Sequence, residues 1–323
     1  MSNPILAKFG AQRNKSMPVD LGVAALRDEL ARAIDAYVRS KEEKAMAIPG
    51  LWLYRRTTRT ACNAITYEPS LAVFVQGRKR VTFGGTTYLC DGTNFLLTSV
   101  DVPVVNQIVE ASREKPLLSL LLKLDMAVVR EILSREEFQP ASHSSSTQGI
   151  AVGKTTMDLL TPCLRLLDLL DAPSDIPFLS SLIQREIVYR LLQGSQGERL
   201  RAVATAGDQS NRTARAIAWL RVNYAKPLRV EELAELARMG ISTLHHHFRA
   251  LTAMSPLQYQ KRLRLVAARE RMLVEGLDAA SAAFGVGYES ASQFNREYKR
   301  LFGQPPKRDI KARRIAGSAA VSD

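Results

Sequence analysis

The chain has 323 residues, 46% of them hydrophobic and 24% charged, which suits two globular domains and excludes wholesale disorder or a collagen-like repeat. Its 45 Lys and Arg against 32 Asp and Glu leave a net charge of +13, and no apolar run approaches the roughly 18 residues of a membrane span. Cys62, Cys90 and Cys163 are odd in number and widely spaced, and Met1 to Val19 holds no apolar core of a secretory signal, so a cytoplasmic protein without a disulfide framework is expected.

In chain order, residues 20–45 carry helical spacing at Val23, Leu26, Leu30, Ala33, Ile34 and Tyr37, with Asp20 as cap and Ile48-Pro49-Gly50 as stop. From Leu51 to Leu124 the texture changes to strands. Leu51–Arg55, Leu71–Gln76, Lys79–Phe83, Asn94–Thr98 and Leu117–Leu122 are the clearest, broken by Gly77-Arg78, Gly84-Gly85, Asp91-Gly92 and Asp101–Pro103. Such punctuation predicts an antiparallel sandwich or barrel. Asp125–Leu133 then reads as a short helix and Ala141–Thr147 as a Ser-rich loop. Met157–Leu170 and Pro177–Leu192 read as longer helices. In the second of these, Leu179, Leu182, Ile183, Ile187 and Leu191 form one apolar stripe, suited either to a homodimer contact or to burial within its own domain. Gly194–Asp208 is the expected interdomain connector, and everything after Asn211 is helical in texture.

Charge is concentrated at the C-terminal end. Residues 211–323 hold 20 basic and 10 acidic side chains, whereas the first 210 hold 25 and 22. A basic module attached to a near-neutral one points to a polyanion partner.

That basic third contains an internal repeat. Leu244, Phe248, Arg249, Leu251, Ala253 and Pro256 recur 50 positions later as Phe294, Tyr298, Lys299, Leu301, Gly303 and Pro306. Each copy reads as a short helix (Val230–Ala237; Asp278–Ala283), a Gly-containing turn and a longer helix (Ser242–Leu251; Ser290–Phe302), the helix-turn-helix pattern. Ala234 and Ala283 are small where the paired helices must cross. Leu244 with Phe248, and Phe294 with Tyr298, anchor one face at i, i+4 spacing. The opposite face offers Ser242, Thr243, His245, His246 and Arg249 in the first copy and Glu289, Ser290, Ser292, Gln293, Arg296 and Lys299 in the second. Polar and cationic side chains of these kinds reach base edges and phosphates in a major groove. Between the copies, Pro256–Val274 predicts a rigid helix capped by Ser255, with Arg264 among its cationic cover. A helix of about 28 Å can set two readers in successive grooves of duplex DNA.

Other chemistries find less support. No His lies between residues 1 and 142, so a His-rich metal site cannot form in the β-rich region. His245-His246-His247 point about 100° apart on a helix and cannot all chelate one ion, and His143 lies alone in the Ser-rich loop. No catalytic residue, cofactor or metal is assigned. Trp52, Tyr54, Phe74, Phe83 and Phe95 either line an effector cavity or are ordinary core, and Cys90 is either a reactive thiol or a buried one. Two rivals stay open: a non-specific architectural nucleic-acid-binding protein, and an enzyme whose chemistry sits in the β-region.

Residues 211–311 resemble the DNA-binding domain of the AraC/XylS family of bacterial transcription regulators. The likeness rests on Leu233-Ala234, Ser242-Thr243-Leu244, Phe248-Arg249, Ser255-Pro256, Arg262-Leu263-Arg264-Leu265, Gly287-Tyr288-Glu289-Ser290, Phe294, Arg296, Tyr298-Lys299 and Phe302-Gly303. The earlier part is similar to the effector domain of one subgroup, through Tyr67-Glu68-Pro69-Ser70, Gln76-Gly77-Arg78-Lys79 and Arg185 to Leu192. The resemblance implies an α+β protein: an N-terminal cupin-like β-barrel with flanking helices, then an all-α domain with two helix-turn-helix motifs on a long helix. The expected divisions are a helical arm (1–45), a β-rich effector domain (46–135), a helical linker or dimerisation region (136–205), the DNA-binding domain (206–311) and a flexible tail (312–323). It further implies double-stranded promoter DNA as partner, a small-molecule effector bound near Trp52, Tyr54, Phe74, Phe83 and Cys90, a homodimer, and RNA polymerase if the protein activates. Two departures stand out. Gly240 replaces the usual Ser cap of the first reader, and Ala253 replaces the Gly that normally ends it in a left-handed conformation.

Overall fold

The computed structural model describes residues 19–39, 43–135 and 148–319. The Ser-rich loop Ala141–Thr147 with His143, the side chain of Asp20 and residues 320–323 lie outside the described residues.

Among the described residues, ten strands form the N-terminal part: β1 (Glu43–Ala45), β2 (Leu51–Arg56), β3 (Asn63–Tyr67), β4 (Ser70–Gln76), β5 (Arg78–Phe83), β6 (Thr86–Cys90), β7 (Asn94–Thr98), β8 (Val102–Glu110), β9 (Leu117–Lys123) and β10 (Ile150–Lys154). They make two antiparallel sheets, β1-β2-β9-β4-β7-β10 and β3-β8-β5-β6. Helices α1 (Val19–Val38), α2 (Met126–Leu133), α3 (Met157–Asp168) and α4 (Ile176–Gln193) cover the outer face of the larger sheet. There Leu51, Leu53, Val73, Leu120 and Leu122 meet Leu30, Ile34, Leu160 and Ile187 in one core. Because β4 and β9 are covered on both faces, they read as nearly continuous apolar runs instead of alternating ones.

The helical part comprises α5 (Gly197–Ala204), α6 (Gln209–Asn223), α7 (Val230–Ala237), α8 (Ile241–Thr252), α9 (Pro256–Val274), α10 (Ala279–Gly285), α11 (Ala291–Phe302) and α12 (Pro306–Ala319). Its first half shares a core with the interior of the β-domain: Phe74, Phe83, Cys90, Leu96 and Val102 are continuous with Leu233, Leu244, Phe248 and Tyr259. The second half has its own core around Ala283, Phe294 and Tyr298.

The α+β architecture agrees with expectation, and five local expectations need correction. The first helix stops at Val38, and Glu43–Ala45 pairs with Trp52–Tyr54 as a sheet edge. Residues 150–154, expected in a helical stretch, form β10 against β7. The connector region contains α5, and residues 312–319 continue helix α12 in place of a tail. The stripe on α4 is divided: Ile183, Ile187 and Leu191 are buried in their own domain, while Leu179 and Leu182 are exposed.

Candidate nucleic-acid interface

The first reader, α8, is held by Leu244 and Phe248, both fully buried, with Phe248 packed edge-to-face on Tyr259 at 5.4 Å between centroids. Helical periodicity then turns Ser242, Thr243, His246 and Arg249 to solvent, with His245 and His247 half-buried beside them. Burial, then neighbouring His246, lowers the pKa of His247. Gly240 makes no side-chain cap, and Ala253 closes the helix in the left-handed region at φ 58°. Ala253 thus takes the left-handed turn that Gly normally takes, with the strain that a Cβ brings there.

In the second reader, α11, Phe294 and Tyr298 are fully buried, and the Tyr298 hydroxyl donates to Asp309 Oδ2 at 2.7 Å. Glu289, Ser292, Arg296 and Lys299 are exposed on the opposite side. Ser290 accepts the Gln293 backbone N–H at 3.3 Å, so its hydroxyl serves as the helix N-cap. Gly303 closes this reader at φ 80° without strain.

Helix α9 begins with a capping box between Ser255 and Gln258, as the Ser-Pro opening requires. Arg264 does not stand out toward a ligand. Its Nε donates to Tyr224 O at 2.7 Å, Nη1 to Gly287 O at 2.7 Å and Nη2 to Lys226 O at 2.9 Å. The planar guanidinium satisfies carbonyls at the end of α6 and in the second turn, so it braces the two halves against each other.

A polar seam joins the β-domain to the readers. Arg221 on α6 donates to both Asp101 and Glu68, and Glu68 also pairs with Lys123 at 2.7 Å. The Tyr259 hydroxyl donates to Asp101 O at 3.0 Å, and Gly149 N–H donates to Leu251 O at 2.9 Å. Arg269 on α9 donates to Asn63 Oδ1 at 2.8 Å and to Ala64 O on β3. The two carboxyls respond differently. Burial pushes Asp101 above the ordinary carboxylate range despite Arg221, whereas at Glu68 the pull of Lys123 and Arg221 outweighs burial. Sequence reasoning assigned Asp101 to a turn and missed this seam; Glu68 within Tyr67-Glu68-Pro69-Ser70 was the nearest signal.

The expected effector residues separate into three groups. Phe74, Phe83 and Cys90 are buried members of the shared core, and burial pushes the Cys90 thiol up to about 12, which opposes a reactive thiolate. Phe95 belongs to the helix-covered face instead of the interior. Trp52 and Tyr54 are half-buried and share the inner face of the larger sheet with Leu121 and Ala72. Burial, followed by Glu43, pushes the Tyr54 hydroxyl up to about 12, and Tyr67 of the other sheet adds to the shift. Lys79 was not foreseen. It sits opposite Cys90 and Ile108 on the buried face, with its Nζ 5.6 Å from the centre of the Tyr67 ring. Among the described residues no cluster of three or more His, Cys, Asp or Glu is placed to hold a metal, and no helix is long and apolar enough to cross a membrane.

Comparison with known proteins accords with this geometry. Residues 47–199 match the model described as the AraC-type transcriptional regulator N-terminus, and residues 233–312 match a helix-turn-helix domain model. The HTH-type transcriptional activator RhaS of Yersinia pestis (strain Pestoides F) is 29% identical over 153 residues, 47% of this chain and 53% of its own length. The chain thus spans about half the length of the curated relatives it matches. The apo form of a lysine-to-alanine variant of ToxT from Vibrio cholerae strain SCE256 superposes with TM-score 0.55 at 9% identity, over 82% of this chain and 98% of that one. ToxT with a bound unsaturated fatty acid, from the same strain, gives 0.53 at 8% identity, over 81% and 93%.

Proposed function

The chain belongs to the AraC-type transcriptional regulators, and from that premise we propose that it binds promoter DNA sequence-specifically through α8 and α11. The observation carrying this reading is the pair of reader helices joined by α9, each with a buried aromatic anchor and an opposite exposed face, Thr243, His246 and Arg249 on one and Ser292, Arg296 and Lys299 on the other. A non-specific architectural role needs the positive charge alone and would not require two such faces. The decisive experiment is competition binding with the full chain on its own promoter. Random duplex should displace the protein far less effectively than unlabelled promoter; equal displacement refutes the proposal.

Control by a small effector is part of the same reading. The inner face of the β-domain joins apolar Trp52, Leu121 and Ala72 to Lys79 and Tyr67, a lining suited to an organic acid with an apolar body. The fatty acid seen in ToxT belongs to the same chemical class. Self-association fits the exposed Phe178 and Leu182, four residues apart on α4 and 75% and 60% exposed. Phe178→Glu with Leu182→Glu should convert a dimer to a monomer in sedimentation; an unchanged mass removes α4 from the interface. Action on promoter DNA supports a cytoplasmic location, with RNA polymerase as the partner if the protein activates.

A further inference from the structure

Gln293 occupies the third position of α11, within the N-terminal turn that meets base edges when a reader helix enters a major groove. A glutamine amide is two-faced. With its carbonyl oxygen and one N–H presented, it matches the N6–H donor and N7 acceptor of adenine; with its NH2 turned outward, it can donate toward the O6 and N7 acceptors of guanine. Which face it shows depends on what holds the amide from behind.

Here the holder is Glu297, one turn along the same helix. Gln293 Nε2 donates to Glu297 Oε1 at 3.2 Å. Lys261 Nζ on α9 donates to that same oxygen at 2.9 Å, and the Tyr288 hydroxyl donates to Oε2 at 2.8 Å. Burial pushes the Glu297 carboxyl upward, but the donors Lys261, Tyr288 and Gln293 together hold it below the ordinary range. It is therefore an ionised, acceptor-only group at neutral pH. A Gln293 carbonyl turned toward it would set oxygen against oxygen, so the amide must give an N–H to the carboxylate. Its oxygen and second N–H remain for the groove.

We propose that Glu297 is a positioning residue that fixes the Gln293 amide so that α11 selects adenine over guanine at one position of its site. The inference rests on α11 lying in a major groove, and its test separates the two. The full chain, Gln293→Ala, Glu297→Gln and Glu297→Asp are each used to select sequences from a duplex with a randomised centre, and affinities are then measured on single-base variants. The wild type should prefer adenine over guanine about tenfold or more at the position whose preference Gln293→Ala abolishes. Glu297→Gln, which can donate as well as accept, should reduce that ratio to within about threefold and leave the other positions unchanged. Glu297→Asp keeps an acceptor-only carboxylate and should retain part of the preference. If Glu297→Gln keeps the adenine preference, or weakens every sequence by a common factor, or if Gln293 proves to select another base, the proposal is overturned. A wild-type selection that yields no motif overturns the DNA-reading premise instead.

Discussion

Replacing Arg221 by Met removes the only side chain among the described residues that bonds both Glu68 and Asp101 across the seam. The two carboxylates do not lose equally. Glu68 retains Lys123 at 2.7 Å, but Asp101 has 11% side-chain exposure and no other ion pair among the described residues. Removing one partner of a fully buried pair costs about 3–5 kcal/mol. Arg221 is itself 40% exposed, so water reaches the gap and the expected loss falls to about 1–2 kcal/mol. Asp101 already lies above the ordinary carboxylate pKa in the folded protein, so its contribution to stability declines as pH rises through the window between its unfolded and folded values. Without Arg221 that window extends upward, and the variant should suffer more near neutrality than in mild acid. Denaturant titrations of the wild type, Arg221→Met, Asp101→Asn and the double variant form the test. A coupling of about 1 kcal/mol or more is expected, with the double variant recovering part of the loss. Coupling under about 0.3 kcal/mol, or a loss that grows on acidification, would refute this account of the seam.

Arg296→Ala, which removes an exposed donor from the second reader, should cost about 1–3 kcal/mol at the cognate site in a binding titration; an equal loss on random duplex would mean that it touches phosphate alone. Lys299→Ala should lower the slope of log affinity against log salt by about 1, and an unchanged slope would remove Lys299 from the contact surface. Ala253→Gly relieves left-handed strain of about 1–2 kcal/mol while raising unfolded-state entropy by about 0.4–1 kcal/mol. A net gain of about 0.5 kcal/mol is expected in thermal unfolding; a loss would show that the Ala253 methyl, packed near Gly84, matters more than the strain.

Both readers were legible in the sequence because their determinants are local: an aromatic anchor at i, i+4, a Ser or Gly cap and a turn glycine all fall within one repeat. Strands β2, β4, β5, β7 and β9 were legible too, as apolar runs between turn residues, but β8 and β10 were not. Strand β8 opens with Val102-Pro103, which resembles a turn, yet Pro103 is tolerated because β8 is paired there with β3 alone, β5 joining only from Val105 onward, so that its other side is locally an edge. Strand β10 carries Gly153, a breaker in isolation, where an added Cβ would lie 2.3 Å from the Phe95 ring; the close approach of that ring demands glycine. Arg264 and Arg221 were visible only as positive charges. What they hold lies 23 to 153 residues away in sequence, and no periodicity encodes such a pairing.

The seam is also where the molecule departs most from full polar satisfaction. Burial lowers the pKa of Arg262 and of Arg269 to about 10, with Arg313 adding to the effect at Arg269. Arg262 Nε, Arg269 Nη1 and the Thr66 hydroxyl are buried without a protein partner. Arginines desolvated without a matching carboxylate gain little from staying docked, so the contact between α9 and β3 is weaker than its buried surface suggests. The first helix-turn-helix unit, in contrast, shares a hydrophobic core with the interior of the β-domain. An effector between the sheets would therefore act first on α8 through packed side chains, and on α11 through α9, this poorly matched polar contact and the direct approach of α11 to β3. On that arrangement, the second reader is the half whose position relative to the β-domain a ligand can most easily change.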